Sequence, residues 1–173
     1  MADRKIHYEA AFEDYLRSKG WPYVMVDEGK KAIFADVSLK SFDFVVYSES
    51  GPNLLVDVKG RKFPDLRATG KRRGGRAWEN WITREDVDGL RQWQGIFDGG
   101  FVAALVFTYW LQGRPQDAPF ESVHVFRGRH YAFMAITLAD YVVLSKPRSA
   151  RWQTISVAAR AFADKAVDLS ALL

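Results

Sequence analysis

The chain contains no cysteine. That excludes disulfides and thiolate metal sites, and it suits a reducing cytoplasm. Long apolar runs are also missing. The longest, residues 101–111 (FVAALVFTYWL), is too short to span a membrane. The first ten residues, MADRKIHYEA, hold no apolar h-region, so no signal peptide is expected. Neither an internal repeat nor a linker interrupts the pattern. What is present is 48% hydrophobic and 14% aromatic, the composition of a globular protein. A length of 173 residues fits one domain, residues 1–173, with its own core.

The formal net charge is +4, but its distribution is uneven. Residues 59–76 hold eight basic side chains (Lys59, Arg61, Lys62, Arg67, Lys71, Arg72, Arg73, Arg76) and one acid, Asp65. The rest of the chain is therefore net acidic. One basic arm on a mildly acidic body points to a local site for a polyanion. Four glycines and a proline in residues 60–76 predict that this arm is a mobile loop.

Residues 41–59, SFDFVVYSESGPNLLVDVK, read as a hairpin: two apolar runs around a polar turn. Symmetry about Ser50 places Tyr47 opposite Asn53, Val45 opposite Leu55 and Asp43 opposite Asp57. Asp57 and Lys59 share a face, because strand side chains alternate. Like charges set opposite each other in a sheet are destabilising. A cation bound between Asp43 and Asp57, with Lys59 beside it, explains why both acids are there. Two carboxylates with the Val58 carbonyl are the hard oxygen donors that Mg²⁺ or Mn²⁺ prefers. Such an ion can lower the pKa of a bound water for phosphodiester hydrolysis. Lys59 is then placed to orient or deprotonate the water, or to offset charge building on phosphorus.

Around the hairpin the chain predicts a series of elements. Residues 4–19 form an amphipathic helix whose apolar face includes Glu9, between Ile6 and Phe12; a buried carboxylate there needs a partner. Glu9 becomes a further ligand or an outer base. Residues 21–26 are a short strand, 27–31 a turn, and 33–39 either extend the sheet or connect. Residues 78–82 carry no clear assignment. Thr83-x-x-Asp86 resembles a capping box and opens a helix closed by Gly99 and Gly100. Residues 101–110 are a covered strand. Residues 122–126 and 130–136 form a second hairpin. Thr137-x-x-Asp140 caps a short helix stopping at Pro147, and residues 156–166 are a last helix. The order satisfies an α/β fold: a mixed sheet with helices on both faces and a right-handed crossover after Lys59.

Glu9, Asp43 and Asp57-Val58-Lys59, in this element order, resemble the PD-(D/E)XK nuclease superfamily. The resemblance covers residues 4–110 and departs at Phe42, where the pattern usually has proline. It implies a restriction-endonuclease-like αβββαβ core, with the second hairpin and later helices as additions. It further implies catalytic Glu9, Asp43, Asp57 and Lys59, and Mg²⁺ or Mn²⁺ on Asp43, Asp57, Val58 and Glu9. The opening HYEAAFE is also similar to an uncharacterised HYExAFE family, which supplies no activity.

The expected function is a metal-dependent nuclease acting on DNA, with Arg61, Lys62, Arg67, Lys71, Arg72, Arg73 and Arg76 as the nucleic-acid contacts. One alternative is a binding module on the same fold that no longer cuts. Another is an enzyme for small phosphorylated or carboxylated substrates, for which the arm is oddly large. Trp78 and Trp81 could stack on bases or pack in the core. His7 could reach a phosphate from the first helix turn, Gln94 could touch substrate, and Arg148 and Arg151 could extend the phosphate track. Cutting both strands of a duplex is simplest from a homodimer, though no dimer surface is legible.

Overall fold

The computed structural model describes residues 6–26, 33–34, 37–38, 40–69 and 77–173. The chain opens with helix α1 (Ile6–Lys19), then strands β1 (Tyr23–Met25), β2 (Ile33–Phe34), β3 (Val37–Ser38), β4 (Phe44–Val46) and β5 (Asn53–Phe63). A single-turn helix α2 (Leu66–Thr69), strand β6 (Ile82–Thr83), helix α3 (Arg84–Phe97) and strand β7 (Phe101–Leu111) follow. The remainder is β8 (His124–Phe126), β9 (Arg129–Thr137), α4 (Leu138–Leu144), β10 (Ser145–Ser149), β11 (Thr154–Val157), α5 (Ala159–Lys165) and β12 (Val167–Asp168).

The main sheet runs β1-β4-β5-β7-β9-β12, with β8 paired to β9. β5 and β7 are parallel along eleven residue pairs, and the other pairs in this sheet are antiparallel. This is the expected mixed sheet flanked by helices. α3 makes the crossover between the parallel strands.

Alternation along β5 divides the molecule into two cores. Leu54, Val56 and Val58 face α1 and pack with Phe12, Leu16 and Val106. Leu55 and Phe63 face the other way, towards Val87 and Leu90 of α3 and Phe162 of α5. α1 stops where Gly20 takes a φ of 69°, which lets its N–H bond Arg17 and the Trp21 N–H bond Leu16. α3 starts as its sequence specifies: Thr83 accepts from the Asp86 N–H, and the Asp86 carboxylate accepts from the Thr83 N–H at 2.8 Å. The second hairpin turns through Arg127 and Gly128, both at positive φ, the two-residue turn that matches strand twist.

Several expectations need correcting. The basic arm does not begin as a loop. β5 continues through Gly60, Arg61, Lys62 and Phe63, paired to Thr108, Tyr109, Trp110 and Leu111. Its polar composition masked a strand whose partner lies 48 residues further along the chain. The arm then enters α2, and Lys71, Arg72, Arg73 and Arg76 lie outside the described residues, as does the 27–31 turn. β2 and β3 pair with each other and do not extend the main sheet. Pro147 does not stop α4, which ends at Leu144. It lies inside β10, an edge strand with a register shift next to it, where a missing N–H costs little. Residues 154–157 are strand, so the last helix is shorter than expected. β10, β11 and β6 form a second, three-stranded sheet.

Candidate active site

The hairpin register is close to the symmetric expectation. Phe44, Val45 and Val46 pair with Val56, Leu55 and Leu54. The ladder ends before the acids meet, however. The Asp43 N–H bonds the Val56 carbonyl at 2.9 Å, and its Oδ2 accepts the Val58 N–H at 2.6 Å. Asp43 therefore lies alongside the Asp57-Val58-Lys59 segment instead of squarely opposite Asp57. Tyr47 does not pair with Asn53 either: its N–H bonds the Pro22 carbonyl, and the Asn53 side chain takes the Ser48 N–H.

Asp43 and Asp57 are buried, at 3% and 6% exposure. Their proximity is offset by donors within the chain. Lys59 Nζ lies 2.8 Å from Asp57 Oδ2 and 3.1 Å from Asp86 Oδ1. Lys40 also pairs with Asp86 Oδ1. Asp86 and Lys40 are the site residues that sequence reasoning missed. Asp86 was legible as a helix cap, but its second oxygen reaches the site only because α3 crosses above β5. Lys40 is held there by its backbone: its carbonyl accepts the Trp93 indole N–H at 2.9 Å and lies against Gly89.

Electrostatics follow from this arrangement. Burial works against the Lys59 charge, but Asp57 and then Asp86 outweigh it, so Lys59 is held protonated above its ordinary range. Burial likewise opposes the Asp86 charge. Lys59, the Lys40 hydrogen bond and the Thr83 N–H overcome it and hold Asp86 well below the usual carboxylate range.

Among the described residues, no group of three or more His, Asp or Glu side chains is arranged to hold a metal ion. The donor set still fits Mg²⁺, which is bound by one or two carboxylates together with waters and substrate phosphates. In a strand, the N–H and C=O of one residue point to the same edge. The Val58 carbonyl thus faces the edge where Asp43 takes its N–H.

Glu9 lies on α1, which covers the opposite face of the sheet. Its neighbour Tyr8 packs directly on Gly60, where an added Cβ would meet the ring at 2.2 Å. Glu9 follows Tyr8 on the same helix turn and is half-buried. The Arg61 guanidinium folds back to donate to the Gly60 and Trp81 carbonyls, and lies 4.4 Å from the Trp81 ring centroid. Burial lowers its pKa. Arg148 approaches the same ring at 5.4 Å, beside a cleft of about 400 Å³ lined by Trp78, Glu79, Asn80 and Trp81. Trp78 packs among Phe63, Tyr109 and Phe120, a core role. Arg67 pairs with Asp117 at 2.8 Å, and Arg151 lies by Trp152. Gln94 is structural: its carbonyl oxygen accepts the Ala103 N–H at 2.7 Å. His124 pairs with Asp14 at 2.7 Å. His7 meets the Tyr131 hydroxyl at 2.9 Å.

No family model matches the chain, and no curated protein matches it. Among solved structures it is similar to Hjc, a Holliday junction resolvase from the archaeal hyperthermophile Archaeoglobus fulgidus. The TM-score is 0.55 and the sequence identity 13%, over 96% of this chain and 97% of that one. At that identity the likeness is one of fold: the same mixed α/β architecture, matched along nearly the whole of both chains.

Proposed function

We propose that the protein is a metal-dependent nuclease that hydrolyses phosphodiester bonds in DNA through a PD-(D/E)XK-type site. The observation that carries this reading is the convergence of Asp43, Asp57 and Lys59 at one place on a resolvase-like fold. Asp43, Asp57 and the Val58 carbonyl are the residues that would hold Mg²⁺ or Mn²⁺, with Glu9 as an outer member. Bound there, the ion would supply charge neutralisation and an activated water. Lys59, protonated and held by Asp57 and Asp86, offers its remaining N–H to a phosphoryl oxygen as negative charge grows on it. Asp86 keeps that ammonium from swinging out to solvent. Lys62, Arg67 and the arm residues Lys71, Arg72, Arg73 and Arg76 supply phosphate contacts, whereas Arg61 braces the Trp81 segment. A four-way junction belongs among the test substrates because the fold neighbour is a junction resolvase.

The test is cleavage of plasmid, linear duplex, single-stranded and four-way-junction DNA in Mg²⁺, Mn²⁺ and EDTA. Cutting that needs the metal and disappears in a folded Asp57→Ala variant supports the reading. No cutting of any substrate under either metal overturns it. One observation favours the second reading, a binding module that no longer cuts: Lys40 and Lys59 already neutralise part of the acidic cluster. DNA binding without cleavage would establish that alternative.

A further inference from the structure

The opposite face of β5 ends in a cluster that the carboxylate site does not use. Lys62, Trp110 and Tyr131 stand side by side across β5, β7 and β9, because the register pairs Lys62 with Trp110 and Trp110 with Tyr131. Lys62 Nζ lies 5.3 Å from the Trp110 ring centroid, and the Arg129 guanidinium carbon lies 4.6 Å from it. His7, on the first turn of α1, meets the same indole edge-on at 5.4 Å. Lys62 and Arg129 are exposed, whereas Trp110 and His7 are half-buried. Among the described residues no carboxylate lies within ion-pair distance of Lys62 or Arg129.

Two permanent cations and an imidazole thus gather at one indole, with neither cation in an ion pair among the described residues. Their like charges repel one another, and a bound polyanion would offset that repulsion. The indole favours the charges through its π face and holds their stems in place, so their N–H donors are preorganised. We propose that Lys62, Arg129 and His7, arranged about Trp110, bind the phosphate backbone of DNA on the sheet face opposite the carboxylates. A membrane surface fits less well, because the ring is half-buried and flanked by cations instead of presented to lipid. Lys62 is three residues beyond Lys59 on β5, about 10 Å along the strand. One DNA molecule crossing the end of β5 can therefore touch both faces. The choice of DNA as the polyanion rests on the function proposed above.

The test is binding of a labelled duplex and a labelled four-way junction in Ca²⁺ over a range of salt concentrations. Lys62→Gln/Arg129→Gln keeps much of the packing on Trp110 but removes two charges. It should weaken binding and reduce the slope of log affinity against log salt by about two, one per lost phosphate contact. Lys62→Arg/Arg129→Lys, which exchanges the cations, should keep the wild-type slope. If the neutral pair fails to fold, Lys62→Gln alone should still reduce the slope by about one. An unchanged slope in a folded neutral variant overturns the inference while leaving the nuclease reading intact. A wild type that binds no DNA removes both. Loss of phosphatidylglycerol-vesicle binding in the variant, with DNA binding unchanged, would assign the cluster to a membrane instead.

Discussion

At the scale of single residues, Lys59 and Asp86 form the pair on which the proposed chemistry turns. Lys59 is paired with Asp57 and Asp86, and its proposed contribution is charge placed where the transition state needs it. Lys59→Ala should leave DNA affinity in Ca²⁺ nearly unchanged and lower single-turnover cleavage by roughly a hundredfold or more, the scale of losing one stabilising donor. Cleavage at the wild-type rate would make Lys59 structural. Lys59→Arg should rescue only in part, since a planar fork does not replace a point charge. Asp86 has a different readout. Its folded-state pKa is depressed, so its stabilising contribution is complete above the ordinary aspartate value and is lost as pH falls below about 4. Asp86→Asn should therefore destabilise the protein at neutral pH by about 1–3 kcal/mol, the range for a charged hydrogen bond or a cap. The difference from wild type should shrink in acid. A gap that stays constant from pH 7 to pH 3 would show that the Lys40 and Lys59 contacts contribute nothing.

At the scale of elements, β5 carries both faces of the proposed function. Odd positions Asp57, Lys59 and Arg61 look towards α3, and even positions Gly60 and Lys62 look towards α1. Gly60 is the position at which the helix and the strand come closest, with the Tyr8 ring lying over its Cα. Gly60→Ala places a methyl inside that ring and must move α1 or bend β5. Overpacking of this kind costs roughly 1–3 kcal/mol. The expected result is a lowered melting temperature together with impaired cleavage, because Glu9 follows Tyr8 on the same helix turn. A Gly60→Ala protein that melts with the wild type would mean that the helix is not seated there in solution.

At the scale of the whole molecule, metal binding couples the site to global stability. A ligand that binds only the folded state stabilises by an amount set by its concentration relative to Kd. Mg²⁺ or Mn²⁺ should raise the melting temperature of the wild type and not that of Asp57→Ala. Equal shifts in both proteins would show that the carboxylate pair does not hold the metal. Among the described residues no helix is long and apolar enough to cross a membrane. The architecture spends its apolar surface on two cores, one on each side of the sheet.

The local signals were legible because they depend on neighbours in sequence. The hairpin with Asp43 and Asp57-Val58-Lys59, the Thr83–Asp86 cap and the strand at Phe101 all follow from alternation, turn residues and capping spacing. What the linear order could not show depends on contacts between distant segments. Asp86 lies 27 residues beyond Lys59, and only the crossover of α3 brings its second oxygen to the ammonium. β5 outlasts its polar sequence because β7 supplies a hydrogen-bonding partner as far as Leu111. Lys62 and Arg129 meet over Trp110 because three strands are in register. Tyr8 seats α1 against β5 because Gly60 has no Cβ to keep its ring, and with it the helix, away from the strand.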